Sequence, residues 1–143
     1  MVKIPEEIKM IKQIKKFIIA NNLDGYIILK NDNYFTEYSN INNLAKITNF
    51  TGSAGFAIIL KHKNFLFVDG RYTLQAKKQS GDNFKILEIP YFWPKDISNI
   101  DGLKIGFDPE LFTELTLKKY FEKKANLIPL KFQFINKIKK KNK

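Results

Sequence analysis

The sequence predicts a mixed α/β domain, a β-sheet with helices on its faces. Helical and strand patterns alternate along the chain. Several strand candidates are short, unbroken apolar runs, as expected of strands covered on both sides. The 143 residues fit one domain, and a 44% hydrophobic fraction with 13 Phe and 6 Tyr excludes a chain too polar to fold.

Ile4, Ile8, Ile11, Ile14 and Ile18 fall on one helical stripe, with Lys9, Lys12, Lys15 and Lys16 largely outside it. Asn21 and Asn22 close this helix, and Gly25 to Leu29 reads as a buried strand. Residues 31–50 are polar and rich in Asn, a long connection with a short helix expected around Ile41 to Ile47. Phe56 to Leu60 and Phe65 to Val68, separated by Lys61, His62, Lys63 and Asn64, form a predicted hairpin. After Asp69-Gly70, helix-favouring residues run to Ser80-Gly81. Phe84 to Ile89 is a strand stopped by Pro90, and Trp93-Pro94 opens an irregular stretch or short helix. Leu103 to Phe107 is a further strand. A helix over about Thr113 to Lys124 carries Glu114 in its first turn and Lys123 and Lys124 in its last, burying Leu117, Tyr120 and Phe121. Asn126 to Leu130 is the last strand, so residues 1–130 form the domain and 131–143 a basic tail expected to be disordered.

Zero cysteines exclude disulfides, thiolate catalysis and Cys-based zinc sites. His62 is the only histidine, which leaves no material for a His metal site or a Ser/His/Asp triad. No apolar run approaches the roughly 20 residues that cross a bilayer, and no signal peptide is evident at the start. The expected location is the cytoplasm. The net charge of +11 raises an alternative, a basic module that binds nucleic acid or an anionic surface. Five lysines in the last seven residues, KIKKKNK, carry much of that charge, and nucleic-acid readers rely on arginine and interleaved aromatics, so a nucleic-acid partner is the lesser expectation.

Three motifs bear on chemistry. Asp69 and Asp108, both near strand ends, could share a Mg²⁺ or Mn²⁺ ion, or each could cap its own turn. Thr51-Gly52-Ser53-Ala54-Gly55 suggests a phosphate cradle, but its glycines precede a strand rather than open a helix, which favours a sharp entry turn. Asp69-Gly70-Arg71-Tyr72 is the best candidate. Arg71 is the only arginine among 25 basic residues. Its planar fork suits bidentate binding of a carboxylate, which a lysine cannot offer. Asp69 can cap the following helix, and Gly70 relieves the backbone. The plain alternative is that Arg71 only pairs with Asp69, Glu37 or a carbonyl.

ITNFTGSAGFAII (47–59) followed by FVDGRYTLQA (67–76) resembles the N-terminal domain of Xaa-Pro aminopeptidases, the aminopeptidase P family of M24 metallopeptidases. LDGYIILKNDNYFTEY (23–38) and IGFDPELFT (105–113) are similar to two further family segments. The resemblance implies a creatinase/prolidase N-terminal fold with a ribonuclease H-like motif. It also implies that catalysis belongs to a separate pita-bread domain, where carboxylates and a histidine hold two divalent metals, usually manganese. That domain is absent from this sequence, so no catalytic residue, metal ligand or cofactor is expected in the chain. The implied product is a truncated or split aminopeptidase, inactive alone, whose partners are a separately encoded catalytic domain, a proline-containing peptide and further copies of itself. Arg71 takes the family's substrate-facing role, supported by Asp69, Gly70 and Tyr72. Where relatives often carry His before the "SEY" segment, this chain has Tyr34 to Tyr38, so no polar role carries over there.

Overall fold

The computed structural model describes residues 4–29, 43–51, 55–98 and 100–131. The elements in chain order are α1 (Glu6–Ala20), β1 (Gly25–Leu29), α2 (Asn43–Thr48), β2 (Phe56–Leu60), β3 (Asn64–Asp69), α3 (Thr73–Ser80), β4 (Lys85–Ile89), β5 (Lys104–Phe107), α4 (Glu114–Phe121) and β6 (Asn126–Pro129). Short 3₁₀ turns cover Gly70–Tyr72 and Pro94–Asp96. The six strands form one mixed sheet in the order β4-β3-β2-β1-β5-β6. Only β2 runs against the others, so β1, β3, β4, β5 and β6 all end at the same edge.

The apolar runs are explained by burial on both faces. Along β2 and β3 the side chains alternate: Ala57, Ile59, Leu66 and Val68 join a core under α1, α2 and α3, while Phe56, Ile58, Phe65 and Phe67 join a second core under α4. A strand with helices on both sides has no wet face, which is why its sequence shows no polar alternation.

Two boundaries differ from the sequence expectation. The helix α1 begins only after Pro5, so Ile4 stays 47% exposed and Met10 joins Ile11, Ile14 and Ile18 in the core. Lys15 is half-buried, its Nζ donating to the Lys61 carbonyl at 3.1 Å, and burial lowers its pKa. At the other end α4 stops at Phe121, because Glu122 and Lys123 take left-handed φ angles of 47° and 65°. Hydrogen bonds support that reversal: the Glu122 N–H donates to the Lys118 carbonyl at 2.8 Å and the Lys124 N–H to Phe121 at 2.9 Å. The short helix expected near 41–47 is found as α2. Of the expected tail, 131–143, Lys131 is described, its Nζ donating to Glu110 Oε1 at 3.0 Å, and residues 132–143 lie outside the described residues.

Tyr26 ties the chain's exit from the sheet to its centre, its hydroxyl donating to the Leu130 carbonyl at 2.7 Å. The ring itself is buried in β1. Tyr26→Phe should remove that bond and keep the ring packing, lowering the unfolding free energy by about 1 kcal/mol in a urea titration.

Candidate functional site

Open α/β sheets present their ligand sites at the carboxyl ends of the parallel strands. Here that edge gathers the turn at Gly70–Tyr72, the segment after β4, the Asp108 turn after β5 and the entry to β2 at Gly55. Gly55 has a φ of 153°, and a Cβ there would stand 3.0 Å from the Phe67 carbonyl oxygen. That fits the reading of the Thr51–Gly55 stretch as a close-packed entry turn. Gly52, Ser53 and Ala54 lie outside the described residues, as does Glu37.

The Asp69-Gly70-Arg71-Tyr72 turn is built from its own side chains. Asp69 Oδ1 accepts the Arg71 backbone N–H at 2.8 Å and the Arg71 Nε–H at 3.1 Å. The backbone bond caps the 3₁₀ turn that leads into α3. Arg71 therefore does pair with Asp69, as the plain alternative held. The pairing engages Nε alone, and among the described residues the two terminal nitrogens have no partner. With its side chain 74% exposed and its guanidinium carbon 5.4 Å from the Tyr72 ring centre, Arg71 presents an oriented fork at the sheet edge. A lysine ammonium has donors to spare but no planar fork, so holding it through one donor would not orient the others for bidentate binding.

Behind the turn, the Tyr72 ring meets the fully buried Phe50 edge-on at 6.1 Å between ring centres. From α3, Gln75 Nε2 and Gln79 Nε2 both donate to Thr51 Oγ1, at 3.2 and 3.0 Å, and the Thr51 N–H donates to Gln79 Oε1 at 3.0 Å. Thr51 and Gln75 belong to the two quoted motifs, and Gln79, which motif reading did not single out, completes the link between them. A Gln pair at i and i+4, with Thr ahead of the glycines, was the available signal.

The carboxyl of Asp69 is held below the usual range, first by the Arg71 backbone N–H and then by its side chain. Arg71 is correspondingly raised by the Asp69 hydrogen bond. Because the folded carboxyl is the more acidic, any stability from this contact is present above the ordinary Asp range and is lost as pH falls through the folded value. In Arg71→Ala the backbone N–H remains, so an NMR titration should show the Asp69 pKa rising only part of the way to its ordinary value.

The structure separates Asp69 from Asp108. They share the edge but sit on β3 and β5, with β2 and β1 between them, three strand spacings or about 14 Å. Each caps its own turn instead, Asp108 Oδ1 accepting the Glu110 N–H at 2.9 Å. Among the described residues no group of three or more His, Cys, Asp or Glu could hold a metal. His62 sits exposed in the β2–β3 turn. No described helix is long and apolar enough to cross a membrane.

A mixed six-stranded sheet with helices on both faces carries the capped arginine turn at one edge. Residues 10–135 match the model of the creatinase/prolidase N-terminal domain, and the chain belongs to that family. It is 31% identical over 140 residues to a probable Xaa-Pro aminopeptidase P of Coprinopsis cinerea, covering 90% of this chain and 22% of that protein. It is 34% identical over 106 residues to Xaa-Pro aminopeptidase 2 of Rattus norvegicus, covering 70% of this chain and 16% of that one. The chain thus spans about a fifth of the length of such relatives. Among solved structures, the N-terminal domain of the cytoplasmic peptidase PepQ from Mycobacterium tuberculosis matches with a TM-score of 0.66 at 20% identity, over 85% of this chain and 92% of that one. X-prolyl aminopeptidase of Caenorhabditis elegans, a cytosolic enzyme with a di-nuclear active site, matches with a TM-score of 0.68 at 19% identity, over 89% of this chain and 24% of that one.

Proposed function

We propose that this chain is the substrate-positioning domain of an Xaa-Pro aminopeptidase-type metallopeptidase, working with a catalytic domain carried on further polypeptide. The observation that carries the reading is the Arg71 fork, fixed through Nε by Asp69 and open at its terminal nitrogens. A carbonyl or carboxylate of an extended peptide, bound by charge-assisted hydrogen bonds, is the ligand such a fork suits. Divalent metal ions, with manganese the expected choice, would act in the catalytic domain, polarising the bond before proline and activating water. The domain described here then contributes orientation, which lowers the barrier by holding the peptide in reacting geometry. It acts in the cytoplasm, on peptides whose second residue is proline. Purified chain supplied with Mn²⁺ should release no amino acid from an Xaa-Pro peptide, and enzyme-like turnover by the chain alone would overturn the reading.

A further inference from the structure

We propose that the turn after β4 completes a cation-accepting subsite beside Arg71, made of the Glu88 carboxylate and the rings of Tyr91 and Phe92, which favours prolyl peptides carrying a basic side chain. This rests on the reading above that a peptide meets Arg71, and it adds what the peptide should contain.

The two turns are neighbours by register. Strands β3 and β4 run parallel with Asp69 opposite Ile89, so Arg71 and Tyr91 each follow, by two residues, the same rung of one ladder. Contact confirms it: a Cβ on Gly70 would stand 2.6 Å from Glu88 Oε2, so the carboxylate lies directly against the Asp69–Tyr72 turn. Glu88 is half-buried, and among the described residues nothing donates a hydrogen bond or ion pair to its carboxylate. The chain has 25 basic residues against 14 acidic ones, yet Asp69 holds the guanidinium next door through Nε, and its terminal nitrogens make no ion pair with Glu88. A partly exposed carboxylate beside an oriented guanidinium is free to accept an arriving cation.

The aromatic side chains supply the second half of the receptor. Tyr91 is 74% exposed and Phe92 47% exposed, and an exposed ring face attracts an ammonium or guanidinium. The turn is held in place, the Phe92 N–H donating to the Glu88 carbonyl at 2.9 Å and the Trp93 N–H to Asp96 Oδ2 at 2.8 Å. Its next residue already binds a cation in this manner, with Lys119 Nζ 5.0 Å from the Trp93 ring centre. One extended peptide could then give a carbonyl to Arg71 and a positive side chain to Glu88, opposite charges on adjacent strand ends.

The test is an NMR titration of the full chain with two peptides, alanyl-prolyl-lysine amide and its norleucine counterpart. The lysine peptide should bind about fivefold more tightly, as expected for one partly exposed ion pair reinforced by ring contact. Glu88→Gln should lower that ratio to below about twofold, the share left to the rings, without changing the affinity for the norleucine peptide. Arg71→Ala should weaken both peptides alike, which reports on the parent reading separately. A ratio of one in the unmodified chain, or a ratio that survives undiminished in Glu88→Gln, overturns the subsite while leaving Arg71 in its role. Failure of the unmodified chain to bind either peptide at millimolar concentration overturns both.

Discussion

Phe50→Ala is expected to lower the unfolding free energy by about 3–5 kcal/mol, the cost of emptying a fully buried aromatic site. Phe50 has no exposed surface and joins the core beneath α1, α2 and α3. Its surroundings are poorly placed to collapse into the gap, because the Phe50 N–H is fixed to Thr48 Oγ1 at 3.0 Å and Thr48 Oγ1 donates to the Leu44 carbonyl at 2.7 Å. Ordinary domains have about 5–15 kcal/mol to lose, so the loss is a large share of the whole. A urea titration checks it, with the midpoint falling and the slope unchanged if the native state is otherwise intact. Phe50→Leu, which refills most of the volume, should cost less than about 2 kcal/mol. The Tyr72 ring leans on Phe50, so the same substitution also loosens the seat of Arg71.

Arg71→Lys should do the reverse, leaving the urea midpoint essentially unchanged while impairing function. Its side chain is 74% exposed and its ion pair with Asp69, at 3.1 Å, lies at the surface, where such pairs contribute little. The functional loss is read in a graft, with residues 4–131 of this chain replacing the N-terminal domain of a full-length Xaa-Pro aminopeptidase. A charge-assisted hydrogen bond made in the reacting complex contributes about 1.5–3 kcal/mol, so kcat/KM should fall roughly 10- to 100-fold. A melting temperature that drops as it does for Phe50→Ala would instead make Arg71 a structural residue.

The strands were legible because burial on both faces writes itself as uninterrupted apolar sequence, as in Phe56 to Leu60. The start of α1 was less so: Ile4 continues the isoleucine spacing, yet Pro5 places it ahead of the helix. The end of α4 was obscured because Glu122 and Lys123 adopt left-handed backbone without a glycine to announce it. At the site, Asp69, Gly70 and Arg71 could be read locally, since the cap and the ion pair join residues two apart. Phe50, Gln79 and Glu88 could not, because each reaches the turn through strand order or helix crossing. The same topology decides against a shared metal at Asp69 and Asp108, a separation that spacing along the chain does not reveal.

The most direct measurement is the rate of Xaa-Pro cleavage by three versions of one full-length relative: its N-terminal domain deleted, replaced by residues 4–131 of this chain, and replaced by the same residues carrying Arg71→Ala. The expected result is activity restored by the graft and lost again, with folding retained, in the Arg71→Ala graft. A graft equally active with and without the Arg71→Ala substitution would contradict a substrate-positioning role for this domain.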